Sequence, residues 1–381
     1  IGVPGTVYGM WEVHQKFGSL PWDQLLAPAI KLAEDGFLVS PFMADALNER
    51  YDKLSGYKNF KRIFYSDHPV QMHQRLKQES LAKTLKAISS KGVKGFYEGN
   101  VAEKIDNYMK KNGGLITKND LKYYRPVWRD TLQGNYHDYE IVTMGPPSSG
   151  GIHIIQMLNI LEKHNLVAMG HNSPTYTALL TESMKYAYAD RSEYLGDPGF
   201  FNVPVKNLIS KAYAKEINKR IELNSITPSD EILPGSAMPP ESPDTTHFSV
   251  ADNDGNVISN TFTLNSGFGS GIVIDGTGVL MNNEMDDFVS APGVPNQFGL
   301  IGGEANKIEP FKRPLSSMTP TLVLQDGKPV FATGSPGGSR IITTVLQFLL
   351  NTLDFEMEIS DATVVPRIHH QWKPDVLMLE S

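Results

Sequence analysis

Cysteine is absent from all 381 residues. No disulfide, thiolate nucleophile or cysteine-ligated metal is therefore possible, and the absence fits an oxidising or a reducing compartment equally. Positive charge is also in short supply. The formal net charge of −7 argues against nucleic acid as the main partner. No apolar run reaches the roughly 20 residues of a membrane-spanning helix, and no signal peptide pattern is visible. The ten histidines show no His-x-x-x-His or comparable ligand spacing, so neither metal catalysis nor any cofactor is expected. His369-His370 is their only adjacent pair, and sequence neighbours do not share a helix face. A Gly-x-Ser-x-Gly elbow is missing, which weakens a serine hydrolase reading. The length suits one large domain or two ordinary ones. The chain opens Ile1-Gly2-Val3-Pro4-Gly5 without a methionine and reads like the middle of a longer protein.

The first half carries helical patterning. Trp22, Leu25, Leu26, Ala29, Ile30 and Ala33 recur at the three-four spacing of one buried face, with Pro21 at the first turn and Gly36 past the end. Ser40-Pro41 reads as a cap and an N1 proline opening a second helix through Tyr51. Further helices are expected around Leu81–Ile88, Val101–Met109, Ile152–Leu161 and Tyr176–Tyr188. Residues 139–144 alternate like a strand. Residues 232–244 hold Pro234, Pro239, Pro240 and Pro243, a composition that favours an extended, exposed segment. It suits a linker or a cleavable tail, although a plain surface loop is the commoner origin. Strands are expected at 245–251 and 257–264 around the turn Asp252-Asn253-Asp254-Gly255. Others are expected at 271–281, 319–325 and 330–333, the last followed by Gly334-Ser335-Pro336-Gly337-Gly338 and a helix through Leu350.

Chemistry has several footholds in this pattern. Thr245-Thr246 heads a strand directly after the proline-rich run. A threonine hydroxyl needs a base beside it, and its own α-amino group becomes one if the preceding peptide bond is cut. Gly337 and Gly338 sit at a strand-to-helix turn, where backbone N–H groups stabilise developing negative charge; a tight turn is the plainer explanation. The segment is no phosphate loop, because no Gly-Lys-Ser/Thr follows. Ser148-Ser149-Gly150-Gly151 shares the same ambiguity. Glu284, Asp286 and Asp287 can hold an ammonium group or simply form a solvated acidic loop. Ser316-Ser317 can donate to a carboxylate or simply make a turn.

In this order, the stretches Gly2–Val7, Pro146–Gly151, Thr245–Val250, Thr263–Asn265, Asn282–Phe288, Arg313–Met318 and Gly334–Arg340 resemble the gamma-glutamyltransferase (gamma-glutamyltranspeptidase) family of N-terminal nucleophile hydrolases. The resemblance runs over nearly the whole chain. It implies an α+β fold: a four-layer αββα sandwich of two stacked antiparallel sheets flanked by helices. It implies a precursor that cuts itself between Asp244 and Thr245. Residues 1–244 would then be the large-subunit portion and 245–381 the small-subunit portion, both in one core. Thr245 becomes the nucleophile, Thr263 orients its hydroxyl, and Gly337 and Gly338 supply the oxyanion donors. Asn265, Glu284 and Asp287 hold the substrate's α-amino group, and Ser316 and Ser317 its α-carboxylate.

The implied reaction takes the γ-glutamyl group from glutathione or a related compound onto Thr245, then passes it to water or to an amino-acid or peptide amine. Relatives that act on cephalosporin side chains or poly-γ-glutamate keep the same nucleophile, and a non-catalytic remnant of the fold is the reading from another class. The resemblance also implies export to the periplasm or cell exterior. The family's principal carboxylate-binding arginine lies upstream of the segment matching Ile1, and the family continues past Ser381, so trimming at both ends is expected. A lid loop falls at Pro292–Gly303, with Phe298 where many bacterial members have tyrosine.

Overall fold

The computed structural model describes residues 1–223, 225–232, 245–291 and 293–380. Asp244, one side of the expected cut, lies outside the described residues, as does Pro292 at the start of the expected lid. The chain forms two compact units, one of residues 1–128 and 268–283, the other of residues 129–267 and 284–381.

The first unit is helical. Helices Trp22–Asp35, Pro41–Glu49, Glu79–Lys91 and Gly99–Asn112 form where the apolar spacing predicts them. Ser40 caps its helix by accepting the Met43 N–H at 3.2 Å, and Gly113 ends another in the left-handed conformation. One expectation is corrected. Leu25 and Ala29 are exposed, whereas Ala33 is buried and Trp22, Leu26 and Ile30 are half-buried. The main neighbour of this helix is Glu79–Lys91, and one partner helix covers a narrower stripe than the sequence pattern suggests.

Residues 271–281 are a second correction. They make a single antiparallel bridge between Val273 and Leu280, not a strand. Gly276 and Gly278 turn the chain with positive φ, and a Cβ on Gly278 would meet the Leu81 nitrogen at 2.5 Å. The apparent alternation has another cause: Ile274 and Met281 enter one apolar cluster while Val273 enters a second.

The second unit holds a four-stranded antiparallel sheet in the order Leu132–Tyr136, Tyr139–Thr143, Thr321–Gln325, Lys328–Thr333. Its two central strands come from either side of the Asp244–Thr245 bond, with Ile141 opposite Val323. Helices Gly150–Leu161, Pro174–Tyr194 and Arg340–Leu353 supply much of the main core. Gly150–Leu161 is buried along its entire length; its largely apolar sequence suits that place, and its buried polar residues Gln156 and Asn159 donate to Asp190 and to the Ile209 carbonyl. A hairpin of Thr246–Ala251 and Val257–Phe262 closes through the expected turn. There Asp252 Oδ1 accepts the N–H groups of Asp254 and Asn256, each at 2.9 Å. The hairpin packs on Lys328–Thr333, and Ser259 Oγ donates to the Thr333 carbonyl at 2.9 Å.

Candidate active site

Thr245 stands one residue ahead of its strand. Thr246 pairs with Phe262, so Thr245 falls beside Thr263. Its Oγ1 lies 3.4 Å from Thr263 Oγ1, a long hydroxyl contact. Thr263 Oγ1 also accepts the Asn265 N–H at 2.8 Å, which uses one lone pair and fixes the hydroxyl's direction. Asn265 is buried with φ of 76°, in the left-handed region that asparagine tolerates better than most residues. Three of the expected site residues are thus joined by one short chain of contacts.

The acidic run is a single 3-10 turn, Glu284–Asp287, and it is not a freely solvated loop. Asp286 Oδ2 accepts the Gln297 N–H at 2.9 Å, and Asp287 Oδ1 accepts from Asn296 Nδ2 at 3.3 Å. Asn306 Nδ2 donates to the Asp287 carbonyl at 2.7 Å. Burial, reinforced by the charge of Asp287, pushes the Glu284 carboxyl up to about 8. Burial also pushes Asp287 up to about 7, opposed by the Arg191 guanidinium and aided by Asp286. Carboxylates desolvated in this way gain most when a cation arrives.

Ser316 and Ser317 are held by the other ambiguous motif. Ser316 N–H donates to the Pro147 carbonyl at 2.8 Å. The Ser316 carbonyl accepts from Ser149 N–H and Ser149 Oγ, both at 2.9 Å. Pro146–Gly151 is therefore a scaffold. A Cβ on Gly150 would meet Thr319 Oγ1 at 2.1 Å, and one on Gly151 the Met144 carbonyl oxygen at 2.2 Å, so both glycines answer to close packing. Arg191, unmarked in the sequence, completes this corner. It is 5% exposed, and it donates from Nε to Ser149 Oγ at 3.1 Å and from a terminal nitrogen to Ser317 Oγ at 3.3 Å.

Gly337 and Gly338 link strand Lys328–Thr333 to helix Arg340–Leu353 with φ of 133° and 55°. A Cβ on Gly338 would strike the Phe298 ring at 2.7 Å, and one on Gly334 the His247 ring at 2.2 Å. The turn is packed between Phe298, from the segment expected to form a lid, and the hairpin that Thr245 heads. Phe298 is buried in the main core. Its carbonyl accepts from Gln371 Nε2 at 3.0 Å, and Gln371 Oε1 accepts from Ser339 Oγ at 2.7 Å. Gln297 Oε1 accepts from Ser266 Oγ at 2.7 Å. Residues 296–298 thereby connect the acidic turn, the Asn265 loop and the glycine turn.

Sequence reasoning missed Arg191, Ser266, Asn296 and Gln371. None carries a local signal: Arg191, Ser266 and Gln371 act through partners distant in the chain, and Asn296 reaches Asp287 across a turn. The paired histidines are structural: His369 Nδ1 pairs with Thr343 Oγ1 and His370 Nε2 with Asp375 Oδ1. Burial pushes both down to about 4. Among the described residues, no group of three or more His, Asp or Glu is placed to hold a metal ion, and no helix is long and apolar enough to cross a membrane.

Known proteins share this architecture. A cephalosporin acylase from Bacillus halodurans superposes with a TM-score of 0.82 at 27% identity, over 97% of this chain and 67% of that one. The Helicobacter pylori gamma-glutamyltranspeptidase superposes with a TM-score of 0.60 at 46% identity, over 61% of this chain and 68% of that one. The fold is that of the N-terminal nucleophile hydrolases, and the expected α+β class of helices with antiparallel sheets is borne out. In sequence, the glutathione hydrolase proenzyme of Escherichia coli K12 is 50% identical over 382 aligned residues. That alignment spans all of this chain and 66% of the relative, a little under two thirds. The model of the family described as gamma-glutamyltranspeptidase matches residues 1–381. With the motifs in order and this identity end to end, the chain belongs to the gamma-glutamyltranspeptidase family.

Proposed function

We propose that this chain carries the nucleophile and the amino-acid subsites of a self-processing γ-glutamyl hydrolase and transferase. The observation that carries the reading is the contact of Thr245 Oγ1 with Thr263 Oγ1 at the head of the strand. The new nucleophile would have its orienting hydroxyl already beside it. In the precursor, the Thr245 hydroxyl attacks the Asp244 carbonyl and the resulting ester is hydrolysed. This frees an α-amine whose ordinary pKa is about 7.7–8.0, near the optimum for a general base at working pH.

In turnover that amine takes the hydroxyl proton as Thr245 attacks the γ-carbonyl. The N–H groups of Gly337 and Gly338 receive the oxyanion, and the leaving amine takes the proton. Water or an acceptor amine then removes the acyl group. Asn265, Glu284 and Asp287 hold the ammonium, and Ser316 and Ser317 the carboxylate. Residues 1–244 and 245–381 become two subunits of one body. Export to the periplasm or cell exterior belongs to the same reading and rests on the family alone.

Mass analysis of wild type and Thr245→Ala tests the scheme. Wild type is expected to yield a fragment beginning at Thr245, and Thr245→Ala to stay uncut and inactive. Normal cutting in that variant would refute the autocatalytic step. The likeness to a cephalosporin acylase favours a second reading, an acylase that prefers glutaryl groups lacking the α-amine. Comparing γ-glutamyl-p-nitroanilide with glutaryl-p-nitroanilide separates the two.

A further inference from the structure

The geometry points to Arg191 as the positioning residue that sets the polarity of the carboxylate end of the amino-acid subsite, making Ser317 a donor. This inference rests on the γ-glutamyl reading above. Arg191 lies in helix Pro174–Tyr194 and is almost completely buried. It directs two edges of its fork at two serines: Nε to Ser149 Oγ at 3.1 Å and a terminal nitrogen to Ser317 Oγ at 3.3 Å.

A guanidinium only donates. The bond from Arg191 therefore occupies a lone pair of Ser317 Oγ and leaves that hydroxyl's proton for another acceptor. A substrate carboxylate is such an acceptor. Ser149 behaves in the same way, accepting from Arg191 while its Oγ donates to the Ser316 carbonyl at 2.9 Å. Arg191 thus anchors the Ser316-Ser317 loop from behind and orients its hydroxyl outwards. The same positive charge acts on the half-buried Asp287, where it opposes protonation. Ionised Asp287 is the form that holds an ammonium. Asp286 faces Asp287 from the same turn and acts in the opposite sense. One buried cation thus anchors the carboxylate subsite by direct contact and bears on the ammonium subsite through its charge.

The test uses Arg191→Gln, Arg191→Lys and Ser149→Ala in the full-length protein. Substrates are γ-glutamyl-p-nitroanilide and glutaryl-p-nitroanilide, which keeps the carboxylate and lacks the amine. Arg191→Gln is expected to raise KM for both substrates by about 10- to 100-fold, as loss of a charge-assisted hydrogen bond implies. It should also move the acid limb of kcat/KM to higher pH for the γ-glutamyl substrate alone. Arg191→Lys restores that limb because the charge returns. It leaves KM raised, because an ammonium lacks the two-edged fork. An equal loss of kcat for both substrates with unmoved limbs overturns the proposal, and so does full recovery in Arg191→Lys.

Should Arg191→Gln fail to fold, Ser149→Ala decides. It removes one anchor and keeps the charge, so KM should rise about 2- to 10-fold with the limb unmoved; an unchanged KM overturns the proposal. Failure of wild type to turn over γ-glutamyl-p-nitroanilide would instead refute the functional reading.

Discussion

At the scale of single residues, the site depends on carboxylates in an environment that resists their ionisation. Glu284 at about 8 and Asp287 at about 7 are largely protonated on the acid side of neutrality. In the proposed function a substrate ammonium binds the ionised forms, so γ-glutamyl recognition is expected to strengthen as pH rises through about 7 to 8. In the same scheme the freed Thr245 amine has an ordinary pKa of about 7.7–8.0, but it would serve every acyl donor alike. The ratio of kcat/KM for γ-glutamyl- over glutaryl-p-nitroanilide cancels that contribution. We expect this ratio to rise with pH to a plateau above about 8, and Asp287→Asn to lower and flatten it. A ratio independent of pH in wild type would show that neither carboxylate senses the amine. The same shifts govern stability, with the opposite pH trend. A carboxyl whose folded pKa is raised contributes stability fully present below the unfolded carboxylate range. That contribution is lost as pH climbs through the folded value. The ligand-free protein should therefore lose stability between about pH 5 and 8, and Asp287→Asn should lose less, as thermal melts at the two ends of that window would record.

At the scale of elements, the site sits where three loops meet a strand-to-helix turn, and the tightest fit is between Gly338 and Phe298. A methyl group at Gly338 faces two obstacles: a left-handed φ of 55° and a ring carbon at 2.7 Å. Gly338→Ala should displace the turn proposed to present the oxyanion donors and lower kcat about 10- to 100-fold, since an ångström of misplacement costs about that much. Adding Phe298→Leu relieves the ring contact but not the backbone strain, so the double variant should recover part of the loss. Full recovery would mean that crowding alone matters; no recovery would mean that φ alone does. These elements also mark how far the sequence is legible. The Asp252–Gly255 turn, the Ser40 cap and the glycine turn are written in adjacent residues, and the pairing of Thr245 with Thr263 follows once the hairpin register is known. Strand Leu132–Tyr136 has no such signature, because Leu-Gln-Gly-Asn-Tyr lacks both β-branched residues and clean alternation. Arg191 is illegible for a deeper reason. Its partners lie 42 and 126 positions away, and only the folded chain brings them together.

At the scale of the whole molecule, the bond expected to be cut does not follow the boundary between the compact units. Each unit draws on both sides of it. Residues 268–283 supply Ile274 and Met281 to the core of a unit otherwise built from residues 1–128. In the other unit, strand Tyr139–Thr143 pairs with Thr321–Gln325 over four residues, and Tyr188 Oη donates to the Ser339 carbonyl at 2.5 Å. The segment leading towards the cut is tied down as well. The Trp372 indole donates to the Ser229 and Ile232 carbonyls at 2.9 Å, and buried Lys185 to the Thr227 carbonyl at 2.7 Å. Lys185 also pairs with Asp375 at 3.1 Å. Cutting one bond removes none of these contacts, and a break in a loop costs little packing. The two fragments should therefore co-elute at one size under native conditions and separate only in denaturant. Activity should disappear at the same denaturant concentration as co-elution, because Ser149 and Arg191 lie before the cut while Ser317, Asp287 and Thr245 lie after it. Removing Lys185 strikes the same assembly from within. Its side chain and that of Glu182, 3.7 Å away, are each 1% exposed, so Lys185→Ala leaves a buried carboxylate without its cation, at a cost of about 3–5 kcal/mol. In that variant the midpoint for fragment separation should fall well below that of the cut wild type, while the kinetic constants of the protein still assembled stay unchanged. Fragments that part in native buffer, or a midpoint unaffected by Lys185→Ala, would mean that the two portions do not share the core described here.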